Sequence, residues 1–144
     1  MKADLALDHQ LCFALYAASR VAQGAYRERL DALDLTYPQW LVLLALWEQD
    51  GRSVTDLGEH LMLDSGTLSP LLRRMQDRGV LERRRDSADG RRVSVHLTEE
   101  GHRLRDQADE IQQCLGRAAP LTPEEVTTLR DLARKLVASA RPVE

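Results

Sequence analysis

The stretch Gln39–Glu48 constrains this chain most, because a helix there would be apolar on nearly every side. Trp40, Leu41, Val42, Leu43, Leu44, Leu46 and Trp47 leave almost no polar face, so such a helix must be surrounded by other elements. Thr36-Tyr37-Pro38-Gln39 supplies its start, with Thr as cap, Pro in the first turn and Gln at the capping-box position. Gln49-Asp50-Gly51 ends it. At 144 residues, 43% of them hydrophobic and 30% charged, the chain can build one domain with a real core around this helix. Aromatic residues at only 4% favour helices over a β-sandwich.

The flanking sequence predicts the surrounding elements. From Asp8 to Leu33 apolar residues recur at Leu11, Leu15, Ala18, Ala22, Ala25, Leu30 and Leu33, a helical spacing with Asp8 as the cap. This helix would run about 40 Å, too long to bury its stripe on a small domain alone, so it asks for a partner subunit. Ser53 opens a short helix ending near Leu61, and Asp64 or Ser65 opens another that reaches Arg78 before Gly79. Two alternating segments follow, joined across Asp89-Gly90, which is a hairpin signal. Thr98 caps a fifth helix running to about Leu115, and Thr122-Pro123-Glu124-Glu125 opens a last one to about Ala140. The expected order is α-α-α-α-β-β-α-α, mainly α, with a helix-turn-helix followed by a basic-tipped hairpin. That is a winged helix-turn-helix.

Charge placement points the same way. The formal net charge is −3, yet residues 73–92 hold eight arginines against four carboxylates. A confined basic stripe on an acidic body fits a phosphate-binding surface and double-stranded DNA as partner. In the fourth helix Leu68, Leu71, Leu72 and Met75 should face the core. Ser65, Thr67, Ser69, Arg73 and Arg74 are then left outward or flanking. Small hydroxyl residues at a helix start admit a phosphate or base edge, and arginines further on reach phosphates or guanine. Pro70 removes one hydrogen bond and presses on the Gly66 carbonyl, a cost reduced near a helix start. At the wing tip, Asp89, Arg91 and Arg92 complete the expected DNA-binding set. Each arginine taken singly also reads as a solvated surface charge.

Other chemistry has little support. No phosphate-binding or dinucleotide glycine pattern is present, nor a Gly-x-Ser-x-Gly nucleophile. The histidines at 9, 60, 96 and 102 lack metal-ligand spacing, so neither metal nor cofactor is expected. With no apolar run long enough for a membrane span and no signal-peptide core, a cytoplasmic protein is expected. Its two cysteines, 102 positions apart, should then rest as thiols.

Cys12 falls near the start of the first helix, where unpaired N–H groups and the dipole favour an anionic sulfur, and Tyr16 adjoins it at i+4. By itself such a cysteine also reads as an inert core residue. The stretch Leu7-Asp8-His9-Gln10-Leu11-Cys12-Phe13-Ala14-Leu15-Tyr16 resembles the opening helix of the organic hydroperoxide resistance repressors, a branch of the MarR family. So do Leu35-Thr36-Tyr37-Pro38-Gln39, Leu63-Asp64-Ser65-Gly66-Thr67-Leu68, Pro70-Leu71-Leu72 and the wing's Asp89-x-Arg91. The resemblance implies a homodimeric repressor whose Cys12 is oxidised by an organic hydroperoxide to a sulfenic acid, with release of operator DNA. It further implies that Tyr26 and Tyr37 hydrogen-bond the reactive sulfur. It also places Cys114 as the partner-chain thiol of a two-cysteine subgroup, resolving the sulfenic acid as an intersubunit disulfide. Cys114 equally reads as a packed helix residue. Tyr26 lies 14 residues from Cys12, about 21 Å along a helix, so it can reach that sulfur only from another subunit.

The expected organisation is a single domain over 1–144, with residues 53–98 as the DNA-binding module. Residues 1–35 and 99–144 form a helical dimerisation region. Two other functions stay open on the residues: a MarR-type repressor released by a small phenolic ligand with Cys12 incidental, and a thiol peroxidase. The DNA module argues against the second.

Overall fold

A computed structural model describes residues 1–140; the last four positions of the 99–144 region lie outside the described residues. After a 3-10 turn at Leu7–His9 come α1 (Leu11–Ala32), α2 (Tyr37–Glu48), α3 (Val54–Leu61) and α4 (Ser65–Arg78). The strands β1 (Leu81–Arg85) and β2 (Val93–Leu97) follow, then α5 (Glu99–Arg103), α6 (Ala108–Ala118) and α7 (Pro123–Ala140). The winged-helix architecture expected from the sequence is the one observed.

The apolar helix is central. Trp40, Val42, Leu43, Ala45 and Leu46 of α2 are all buried, together with Leu57 of α3, Leu68, Leu71, Leu72 and Met75 of α4, and Val95 and Leu97 of β2. Its capping box is complete, the Gln39 N–H donating to Thr36 Oγ1 at 3.3 Å and the Thr36 N–H to Gln39 Oε1 at 3.0 Å. That arrangement is worth about 1 kcal/mol. Ser53 Oγ accepts the Asp56 N–H at 3.0 Å and Asp64 Oδ1 the Thr67 N–H at 2.8 Å, so each helix of the helix-turn-helix is pinned by its own cap. Thr122 and Glu125 form a second capping box at 3.1 Å in both directions.

The two strands are antiparallel, with Leu81 opposite Leu97 and Arg85 opposite Val93. A single bridge from Ser53 to Ser94 ties the base of the wing to the cap of α3. The close fit behind the wing depends on Gly101. A Cβ there would lie 2.1 Å from the Val80 carbonyl oxygen, and the Trp47 indole N–H donates to the Gly101 carbonyl at 3.0 Å.

Two features depart from the sequence reading. Gln10, not Asp8, caps α1. Asp4 folds back instead, its carboxylate 2.6 Å from His9 Nδ1 and accepting the Ala6 N–H at 3.0 Å, which holds residues 7–9 in their own turn. The Ala6 N–H first and His9 second hold the Asp4 carboxyl below the ordinary carboxylate range. Cys12 is therefore the second residue of α1. The single fifth helix is instead α5 and α6 joined through a 3-10 stretch, Leu104–Gln107. Its Leu104, like Ile111 on α6, is buried in the core, and the tighter winding lets the path turn without leaving it. As expected, Pro70 leaves α4 unbroken from Ser65 to Arg78.

Among the described residues, two apolar surfaces stay open. Leu5, Leu7, Leu11, Tyr16 and Val21 are exposed around the first half of α1, and Val126, Leu129, Leu132, Leu136 and Val137 along α7. Apolar stripes of this length left in water cost about 25 cal/mol per Å² relative to burial.

Candidate functional sites

The helix-turn-helix and wing present one polar face. Ser65, Thr67 and Ser69 are exposed along the first turns of α4, and Arg73 and Arg74 are exposed beyond them. Pro70 differs from these in being half-buried. At the wing tip the Asp89 carboxylate accepts the Arg91 N–H at 3.1 Å, and Arg85 closes the loop with a 2.7 Å hydrogen bond to the Gly90 carbonyl. The Arg91 side chain is 99% exposed and lies 3.9 Å from Asp89, so the loop holds its backbone while its guanidinium stays in solvent. Between wing and helices runs a cleft of about 810 Å³, lined in part by Ser53, Thr55, Ser69, Arg83, Arg91 and Arg92.

Arg83, Thr55 and Arg52 were not among the residues expected from sequence to meet this surface. Arg83 is oriented by Gln76, whose side-chain oxygen accepts both its N–H and its Nε–H. Arg52 is a half-buried strut: its Nε donates to the Ala45 carbonyl at 3.1 Å and its Nη1 to Asp56 at 2.9 Å. The alternation of β1 carried a signal for Arg83, since it shares a face with Arg85. Arg52 gave none, because its partners lie on two other elements.

The cysteines and tyrosines separate into two groups within the protomer. Tyr26 of α1 and Tyr37 of α2 pack ring against ring, centroids 5.5 Å apart. Cys114 of α6 packs against the same core, its thiol 3.6 Å from the Glu110 carbonyl. An ion pair between Arg29 and Glu110 at 2.6 Å clamps α6 to α1 one turn earlier. Burial first, then the neighbouring Tyr37 and Cys114, push the Tyr26 hydroxyl above its ordinary value near 10. Burial does the same to Tyr37. Both hydroxyls are therefore hydrogen-bond donors at neutral pH.

Cys12 and Tyr16 lie at the other end of α1, both exposed. Tyr16 is held by Arg20, whose Nη1 donates to its hydroxyl at 2.9 Å and whose guanidinium sits 5.5 Å from the ring centroid. Since α1 is continuous from Leu11 to Ala32, Cys12 and Tyr26 of one protomer stand about 21 Å apart along it. The structure thus joins Tyr26, Tyr37 and Cys114, and leaves Cys12 with Tyr16 apart from them.

A basic wing beside a capped helix-turn-helix defines a DNA-binding transcription regulator. A family model described as transcriptional regulator SarA/Rot matches residues 25–108, and the chain belongs to that family of winged helix-turn-helix regulators. The HTH-type transcriptional regulator TtmR of Methylorubrum extorquens is 47% identical over 125 residues, covering 87% of this chain. The chain spans 64% of that relative's length. The organic hydroperoxide resistance transcriptional regulator of Bacillus subtilis is 49% identical over 105 residues, covering 73% of this chain and 71% of the relative. Among solved structures, reduced AbfR bound to DNA is 32% identical with a TM-score of 0.77, covering 92% of this chain and 91% of its own; AbfR comes from Staphylococcus epidermidis. The family match takes in Tyr26, Tyr37 and the whole wing, and leaves Cys12 and Cys114 outside. These relatives are regulators, so the thiol peroxidase reading falls away.

Proposed function

We propose that this regulator is a homodimeric repressor of operator DNA whose Cys12 senses organic hydroperoxides. The observation that carries the reading is the Tyr26–Tyr37–Cys114 cluster. It assembles hydroxyl donors and a thiol in one protomer, too far from that protomer's Cys12 to serve it. A partner with antiparallel α1 would bring its Cys12 to this cluster and cover the exposed stripe of α1. The resemblance of the Cys12 segment and the 49% identity to the B. subtilis organic hydroperoxide regulator support the choice of signal. AbfR, solved in reduced, overoxidised and disulfide forms, supports a cysteine-based switch in this fold.

The chemistry is a two-electron oxidation of sulfur. The Cys12 thiolate attacks the terminal hydroperoxide oxygen, the O–O bond breaks, and the departing alkoxide takes a proton to leave as the alcohol. Tyr26 and Tyr37 of the partner hydrogen-bond the sulfur. The resulting sulfenic acid is attacked by the partner's Cys114 thiol, water leaves, and an intersubunit disulfide remains.

Exposed Ser65, Thr67 and Ser69 would enter the groove with Pro70 beside them. Arg73 and Arg74 would take phosphates, and Arg91, steered by Asp89, would reach the adjacent minor groove with Arg92. In a gel shift, wild type should release its operator on adding an organic hydroperoxide, while Cys12→Ser should bind DNA and stay bound. A Cys12→Ser protein that still responds would end the sensing assignment. On a non-reducing gel, a covalent dimer formed by Cys114→Ser would remove Cys114 as the resolving thiol.

A further inference from the structure

We infer that the Asp89–Gly90 peptide at the wing tip is a site of spontaneous covalent modification, where aspartate isomerises to isoaspartate and dismantles the turn that presents Arg91 and Arg92. The consequence for DNA rests on the wing contact proposed above; the modification itself does not.

The sequence Asp-Gly occurs twice, at 50–51 and at 89–90, and the fold treats the two oppositely. Isomerisation needs a backbone nitrogen open to approach and a side-chain carboxyl free to close on it. At the first site both are engaged. The Gly51 N–H donates to the Val95 carbonyl at 3.0 Å, and Asp50 Oδ1 accepts the Leu97 N–H at 2.9 Å as well as the Gly51 N–H at 3.0 Å. The other carboxylate oxygen lies 3.6 Å from His102 Nε2, and the His96 ring stands against Gly51.

The wing tip has none of these restraints. Among the described residues the Gly90 N–H donates to no group, and residues 87–92 are all exposed. A Cβ at Gly90 would meet nothing within 4 Å, so the nitrogen is unscreened. Asp89 Oδ1 accepts the Arg91 N–H at 3.1 Å, an Asx turn that swings the carboxyl along the chain over Gly90. The Asp89 carbonyl accepts the Arg92 N–H at 3.0 Å. That bond draws electron density from the 89–90 amide and makes its N–H more acidic.

The Gly90 nitrogen attacks Cγ of the protonated Asp89 carboxyl. A C–N bond forms, the amide proton and the carboxyl hydroxyl leave as water, and a cyclic imide remains. Water then adds to the former Asp89 backbone carbonyl and breaks its bond to nitrogen. The chain now runs through Cβ and Cγ, lengthened by a methylene, and the old carbonyl has become a free carboxylate. Mass is unchanged, and no oxidant or cofactor takes part. The Arg92 N–H loses the peptide carbonyl that closed the turn, and Arg91 and Arg92 are left on a longer, looser loop.

Ageing of the full-length protein at physiological temperature, from mildly acidic to neutral pH, tests the inference by peptide mapping. Trypsin releases residues 86–91 as one peptide and residues 30–52 as another, so both sites are read together. Over days to weeks the 86–91 peptide should acquire a second form of equal mass that resists endoproteinase Asp-N at residue 89, while the 30–52 peptide stays single. Gly90→Ala places its methyl in open space and obstructs the nitrogen, so it should convert several-fold more slowly. The isoaspartyl fraction should bind operator about tenfold more weakly than fresh protein, and aged Gly90→Ala should keep its starting affinity. Three results overturn the modification site: no second form at Asp89, equal conversion at Asp50, or Gly90→Ala converting as fast as wild type. An isoaspartyl fraction that binds as tightly as fresh protein overturns its effect on the wing. Fresh Arg91→Ala, titrated alongside, separates the causes: if it also binds like wild type, the wing's DNA contact is what has failed.

Discussion

Tyr26 and Tyr37 occupy a position where a hydroxyl is costly to ionise, and that has a measurable consequence. Their pKa values are raised in the folded protein, so the fold favours the protonated form. The resulting stability is complete below the unfolded tyrosine value near 10 and is lost as pH climbs through the higher folded values. Urea unfolding followed from about pH 8 to about pH 11 should be flat at first and then weaken. Tyr26→Phe or Tyr37→Phe should make that alkaline loss shallower, and an unchanged profile would show that neither hydroxyl is held as described. The sequence pointed to both tyrosines through the resemblance alone, since nothing in their spacing says that residues of α1 and α2 pack ring on ring. Cys114 was even less visible. Its place beside Tyr26 comes from the packing of α6 on the core, with Arg29 and Glu110 paired across about 80 residues of chain. The exposure of Arg91 and Arg92 at the wing tip, by contrast, was legible, because a hairpin tip exposes whatever it carries.

Among the elements, α2 through α4 were readable to within a residue or two, because Thr36, Ser53 and Asp64 are strong local caps and Gly79 is a strong stop. The boundaries that escaped are set by contacts outside the helical repeat, one local and one in the core. Asp4 captures His9 and moves the start of α1 to Leu11, and the buried Leu104 tightens the path between α5 and α6. The end of α3 near Leu61 was legible, but the conformation that closes it was not. Met62 closes it in the left-handed conformation, φ 58° and ψ 40°, where a side chain other than glycine is strained. Because Met62 is largely exposed, little packing would be lost with its side chain. Met62→Gly should therefore stabilise the protein by about 0.5 to 1 kcal/mol, read as a higher urea midpoint at unchanged slope. A lower midpoint would mean that the methionine side chain holds the turn in a way its exposure does not reveal.

For the molecule as a whole, DNA affinity should be carried by a few exposed guanidiniums on an acidic body. Arg73→Ala and Arg74→Ala should each weaken operator binding and reduce the slope of log affinity against log salt by about one. Titration by fluorescence anisotropy at several salt concentrations measures it, and an unaltered slope for Arg73→Ala would place that arginine off the phosphate backbone. The uncovered stripes of α1 and α7 belong to the same scale: the periodicity of α1 called for a partner subunit, and both helices carry apolar surface that the protomer does not use. The only two tryptophans of the chain, Trp40 and Trp47, stand edge to face on α2. That helix begins at Tyr37 in the cluster with Tyr26 and Cys114 and ends where the Trp47 indole donates to the Gly101 carbonyl behind the wing. Indole emission responds to its hydrogen bond and its neighbours, so α2 is a built-in optical gauge. Light from unlabelled protein can report whether a disturbance at the tyrosines travels the length of that helix to the DNA-binding face.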